Sequence, residues 1–172
     1  AKEAERFALT DYLTGLAALT GIPDAANPLI ERTAALIGLP AETVRRVVVP
    51  LDGSENAERA LPFAATLATA LSCDAHLVRV IDPVADAAGI AAAERDLERC
   101  AGMLRQEGLT TSIELRSGAA APELLALVTP GDLLVMSTHG QGAAKRWQIS
   151  RVAEKLLRQA AAPVVLVRAD TP

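Results

Sequence analysis

The stretch Leu133–Val167 constrains the fold more tightly than any other part of the chain. Pro130-Gly131-Asp132 marks a turn, and Leu133-Leu134-Val135-Met136 follows as a short unbroken apolar run, the pattern of a strand buried on both faces of a parallel sheet. The run stops at Ser137-Thr138-His139-Gly140-Gln141-Gly142, where small side chains and glycines let backbone N–H groups approach a ligand closely. After Lys145-Arg146-Trp147 a helical pattern begins near Ser150, with Val152, Leu156, Leu157 and Ala160 on one face. Pro163 closes it, and Val164-Val165-Leu166-Val167 reads as the next strand. The unit therefore sets a small-residue loop and a helix N-terminus at the carboxyl end of a buried strand, where open α/β sheets bind nucleotides and anions.

The same rhythm begins at Arg46. Val47-Val48-Val49-Pro50-Leu51 is a β-branched run, Asp52-Gly53-Ser54 is a turn, and Ser54 is placed to cap a helix reaching about Leu71, with Ala57, Leu61, Ala64, Ala65 and Ala68 inward. Cys73 to Ile81 supplies a second strand, Ala85 to about Glu107 a long helix stopped by Gly108, Thr111 to Arg116 a third strand with Ile113 and Leu115 on one face, and Ala121 to Val128 a short helix. Five strands separated by four helices predict βαβ crossovers and a parallel sheet covered on both sides. Residues 1–45 break this rhythm. Phe7, Tyr12, Leu13, Leu16 and Leu19, then Leu29, Ile30, Ala34 and Ile37, form two helical stripes with no strand between them. They are expected to pack on the main domain, on a partner, or on sequence beyond the chain, which begins at Ala1 as a trimmed protein or a piece of a longer one would. The expected division is a helical extension over 1–45 and a main domain over 46–170.

Composition removes several classes of function. Apolar residues make up 51% of the 172 and aromatic residues 2%, so the core is aliphatic and base stacking on aromatic rings is nearly absent. A net charge of −4 offers no general attraction to nucleic acid or anionic lipid, and no run of apolar residues is long enough to insert in a membrane. Cys73 and Cys100 fit no metal or redox spacing and read as inert thiols in a reducing, cytoplasmic setting.

Val-Val-Val-Pro-Leu-Asp-Gly-Ser (47–54), Met-Ser-Thr-His-Gly (136–140), Arg146-Trp147, Val152-Ala153-Glu154-Lys155-Leu156-Leu157-Arg158 and Ala162-Pro163-Val164-Val165-Leu166-Val167-Arg168 together resemble the opening and closing segments of the universal stress protein family. The resemblance spans residues 46–168. It implies an open five-stranded sheet in the order 3-2-1-4-5, of the adenine-nucleotide alpha-hydrolase-like type, and a homodimer with Val164, Val165, Leu166 and Val167 at its interface. It also implies a site for ATP or AMP, with magnesium accompanying ATP, formed by Pro50, Leu51, Asp52, Val80, Met136, Ser137, His139, Gly140, Gly142, Ser150, Arg151 and Val152. Within that set, Asp52 is placed to accept from ribose hydroxyls or a base amine, or else simply to form a turn before Gly53. Val80 matches an adenine-pocket position, although it would be core in any parallel sheet.

This chain departs from the family's G-x-x-G, nine residues, G-S/T pattern. The first glycine falls on Ser137, the second on Gly140, and the final pair on Ser150 and Arg151. Ser150 adds a Cβ where phosphate would come nearest, while its hydroxyl can cap the helix or replace a lost donor, and Arg151 brings a fork of donors suited to phosphate. Two readings stand: an altered anion site that retains nucleotide, or a solvated basic turn in a nucleotide-free interaction module. His139 has no partner at any catalytic spacing and reads as loop-shaping, His76 reads as structural, and Trp147 as an anchor. With no Walker lysine or convincingly placed base, the expected function is a stress-response binding module without efficient catalysis, at most a slow ATPase. An unidentified protein partner is expected through residues 1–45.

Overall fold

Three consecutive valines set the architecture. Val47, Val48 and Val49 of strand β1 (Arg46–Pro50) are fully buried, and because successive side chains point to opposite faces, β1 must be covered on both. The computed structural model describes residues 44–137 and 150–167. The two expected N-terminal helices and the loop carrying His139, Gly140, Gly142 and Trp147 lie outside the described residues.

After β1 come α1 (Glu55–Glu58), α2 (Leu61–Ala70), β2 (Asp74–Ile81), α3 (Ala87–Gln106), β3 (Thr111–Ser117), α4 (Ala120–Leu127), β4 (Asp132–Ser137), α5 (Arg151–Gln159) and β5 (Val164–Val167). The five strands form one sheet in the order β3-β2-β1-β4-β5, and every neighbouring pair is parallel. Val47, Val49, Leu77, Leu133 and Val135 pack with Ala57, Ala64, Ala68, Leu97 and Leu104, so α1 to α3 cover one face. Val48, Val78, Leu134 and Met136 pack with Leu124, Ala153 and Leu156, so α4 and α5 cover the other. None of the described helices is long and apolar enough to cross a membrane.

One expectation needs correction. The helix read as continuous from Ser54 to Leu71 is two helices, divided around Arg59 and Ala60. Pro62 is the physical reason: it has no N–H to return to the Glu58 carbonyl, and its ring crowds that position, so the chain restarts with Pro62 in the first turn of α2. The expected inward residues are nevertheless correct, since Ala57, Leu61, Ala64, Ala65 and Ala68 are all buried. Ile113 and Leu115 do share a face of β3, but this strand lies at the sheet edge and Ile113 remains 37% exposed.

The amino ends of the two central strands are joined by charge. Arg46 opens β1 and Asp132 opens β4, in register. Arg46 Nε and Nη2 donate to the two Asp132 oxygens at 2.7 and 3.1 Å, and the Thr129 N–H and hydroxyl donate to Oδ2 at 2.7 and 3.0 Å. Burial alone would raise the Asp132 carboxyl, but the hydrogen bonds from Arg46 and Thr129 outweigh it and hold the group below its ordinary 3.8. Asp132→Asn removes the charge from a side chain that is 2% exposed and should lower stability by about 2 kcal/mol at neutral pH. Because the folded-state value is depressed, this contribution is present above the ordinary aspartate range and disappears as the pH falls through the folded value. Urea denaturation should therefore show the gap between wild type and variant closing below about pH 4.

Candidate functional site

Strand order places a gap at the carboxyl ends of β1 and β4. The chain leaves β1 toward α1 and α2 on one face, whereas the β4 connection serves α5 on the other, and neighbouring strands whose connections diverge leave a crevice between them. A cleft of about 170 Å³ occupies this position. The described residues lining it are Pro50, Leu51 and Asp52 after β1, Ala57 of α1, Val78 and Val80 of β2, Ala120 and Leu124 of α4, Met136 and Ser137 at the end of β4, and Ser150 and Val152 at the start of α5.

Pro50, Leu51, Asp52, Val80, Met136, Ser137, Ser150 and Val152, eight of the positions named from the sequence, thus line one cleft. Arg151 is not brought in: it is exposed in the first turn of α5 and does not line the cleft. Four wall residues, Ala57, Val78, Ala120 and Leu124, escaped that reading. Val78 could have been found from Val80, since residues two apart on a strand share a face. Ala120 and Leu124 are spaced i to i+4, one face of a helix, but only the three-dimensional crossover from β3 brings that face to the cleft.

The wall at Asp52 is rigid before any ligand arrives. Asp52 Oδ1 accepts from the Ser54 N–H at 3.0 Å and from the Ser54 hydroxyl at 2.6 Å, and Ser54 Oγ accepts from Ala57 N at 3.2 Å, capping α1. Gly53 between them has φ +82°, a left-handed conformation, and a Cβ there would lie 2.7 Å from Nη2 of Arg79. Arg79 is fixed in turn by Asp96 at 3.0 Å. Asp52 therefore forms the turn before Gly53, one of its two sequence readings, and the same residue lines the cleft. Across the cleft, Ser150 Oγ accepts from Ala153 N at 3.1 Å and the Ser150 carbonyl from Glu154 N at 2.9 Å, so Ser150 is the N-cap of α5 as its sequence position predicted. A helix start carries partial positive charge.

The arrangement suits binding more than bond-making. Val78, Val80, Leu124 and Met136 give the cleft an apolar floor, while Asp52, Ser137 and Ser150 add polar residues to its lining. Both cysteines are free thiols. Burial, then the Asp74 charge, pushes the Cys73 thiol up to about 11, and burial, then Glu58, raises Cys100, in keeping with inert thiols. Among the described residues, no cluster of three or more His, Cys, Asp or Glu could hold a metal ion.

Residues 43–168 match the model of the Universal stress protein family. A universal stress protein of Thermus aquaticus, encoded in the 3′ region of a QAH/OAS sulfhydrylase, is 30% identical over 135 residues, which cover 72% of this chain and 98% of that one. In fold, the chain is similar to the universal stress protein UspA of Lactobacillus plantarum, with a TM-score of 0.64 at 16% identity over 72% of this chain and 97% of that one. It is also similar to a universal stress protein of Archaeoglobus fulgidus in complex with dAMP, with a TM-score of 0.57 at 18% identity over 72% and 97% of the respective chains.

The two substitutions at Ser150 separate its capping role from its bulk. Ser150→Ala should cost about 1 kcal/mol by leaving the Ala153 N–H without its cap, whereas Ser150→Gly should cost only a few tenths. Thermal or urea denaturation checks the ranking.

Proposed function

The chain belongs to the universal stress protein family, and from that premise we propose that its cleft binds an adenine nucleotide as a regulatory, stress-response module without efficient catalysis. The observation that carries this reading is the convergence of eight resemblance-assigned positions, Pro50, Leu51, Asp52, Val80, Met136, Ser137, Ser150 and Val152, on one cleft at the switch point of the sheet. The apolar floor suits a base, Asp52 suits the hydroxyls of a ribose, and the start of α5 suits phosphate. A volume of about 170 Å³ takes the base end of a nucleotide rather than the whole of one, so the phosphates extend toward α5. The dAMP complex of the Archaeoglobus fulgidus relative supports an adenylate as the ligand class. When ATP is the ligand, magnesium arrives with its phosphates.

The altered glycine pattern favours one alternative, a nucleotide-free interaction module. Ser150 is engaged as a helix cap and Ser137 is buried at the end of β4, so both serines have structural employment without a phosphate. In either case the module is a homodimer across β5. This strand is at the sheet edge and its four side chains are already buried within one chain, so a partner pairs with its backbone edge. A protein contact through residues 1–45 belongs to the same proposal.

Purified protein should release an adenine nucleotide on denaturation, seen by mass spectrometry, or melt several degrees higher with millimolar ATP, AMP or dAMP. Saturation at 100 times Kd stabilises by about 2.7 kcal/mol. Val80→Trp, which fills the cleft, should abolish the shift and preserve the far-ultraviolet circular dichroism. Protein that is empty and also indifferent to all three nucleotides would leave the nucleotide-free module. Light scattering should give twice the chain mass, and a monomer at tens of micromolar would exclude β5 pairing.

A further inference from the structure

The sheet face under α4 and α5 carries a second polar group, toward the amino ends of β2 and β3 and separate from the cleft. His76 of β2 is in register with Ser112 of edge strand β3, and it shares a face with Val78, two residues along. The imidazole is buried, whereas Ser112 is exposed. His76 Nδ1 lies 2.8 Å from Ser112 Oγ, and Nε2 lies 3.2 Å from Glu114 Oε2. Glu114 is itself held by Arg116, whose Nε is 3.0 Å from Oε1, and Arg116 Nη1 donates to the Glu123 carbonyl of α4 at 2.7 Å.

The protons follow from the partners. Ionised Glu114 only accepts, so Nε2 carries the hydrogen, and a neutral imidazole then presents a bare Nδ1 to which the Ser112 hydroxyl donates. Burial, reinforced by the Arg46 charge, keeps the imidazole neutral below its ordinary 6.5, against the opposing carboxylates of Glu114 and Asp132. On protonation, Nδ1–H donates to Ser112 Oγ instead, and the hydroxyl turns to the Ala75 carbonyl at 3.5 Å.

We propose that Ser112, His76 and Glu114 act as nucleophile, base and orienting carboxylate, making Ser112 an acceptor site for a small activated acyl group. A hydroxyl hydrogen-bonded to a base that a third group orients is the geometry by which an activated nucleophile is recognised on any fold. Ser112 Oγ attacks the acyl carbon, and the new ester bond forms as the hydroxyl proton passes to His76 Nδ1. The bond from the acyl carbon to the leaving group breaks, and the leaving group departs with its electron pair and takes a proton from His76 or water. Nothing is oxidised or reduced. The exposed position leaves the developing oxyanion to water, so the trio supplies nucleophile and base with little charge stabilisation. That limits it to reactive donors, such as acyl phosphates or aryl esters, and to one transfer per chain.

The full chain treated with p-nitrophenyl acetate should release up to one equivalent of p-nitrophenolate and gain one acetyl group, mapped by tandem mass spectrometry to Ser112 and removed by hydroxylamine as an ester. The rate should fall as acid protonates His76, with a midpoint below 6.5. Ser112→Ala should abolish the burst, and His76→Asn should slow it about 100-fold. Should His76→Asn fail to fold, Glu114→Gln at its half-exposed position takes its place, slowing the burst and moving the pH midpoint. Acetyl groups on amines alone, an equal Ser112 rate in urea-unfolded protein, or a Ser112 rate indifferent to pH and to Glu114→Gln would overturn the proposal.

Discussion

A strand that must be dry on both faces is the constraint from which the rest of the molecule follows. Val47, Val48 and Val49 leave β1 no face for water. Helices must therefore lie above and below it, and with parallel neighbours each helix belongs to a crossover of fixed hand. Two crossovers build β2 and β3 on one side of β1, and the chain then passes to the other face to build β4 and β5 on the other side. The cleft is the geometric remainder of that reversal, a gap between β1 and β4 that no crossover fills. Its position is a consequence of burial, at the kind of switch point where open α/β sheets leave room for a ligand.

The two ends of the central strands are built from opposite chemistry. At the amino ends, Arg46, Asp132 and Thr129 close a nearly dry network in which every Asp132 hydrogen bond is internal to the fold. At the carboxyl ends, Asp52 is tied to Ser54 but also faces a cavity. The first arrangement fixes the register of β1 against β4; the second presents a polar group whose orientation is settled in advance. Preorganisation of this kind spares a ligand the entropy of ordering its own wall. Gly53 contributes to it by taking φ +82°, a left-handed conformation that favours glycine, beside the Arg79 guanidinium.

Periodicity and turn chemistry made the main domain legible. Apolar runs bounded by Pro and Gly located all five strands, and Ser54 and Ser150 announced their helices because a hydroxyl at an N-cap has one common purpose. What the chain hid was tertiary. The division of the first helix depended on Pro62 in a segment whose inward alanines kept perfect helical spacing, so the apolar pattern ran across a broken backbone. Ala57, Ala120 and Leu124 look like ordinary core in a one-dimensional reading and become cleft wall only when two crossovers meet. Arg151, expected at the phosphate site by its adjacency to Ser150, is the first residue of α5, where it is exposed and does not line the cleft.

Ser137 and Ser150, where the family pattern has glycine, illustrate why a motif and a site are different things. Glycine at the head of α5 would bring the backbone close to an anion and leave the first turn of the helix without a side-chain acceptor. Serine instead satisfies the Ala153 N–H from within, so the helix needs no external anion to complete its first turn. Its hydroxyl hydrogen is still a donor, and the cleft it faces keeps the apolar floor and the Asp52 wall. The substitution therefore moves the helix start from a frame completed by its ligand toward one that stands complete alone.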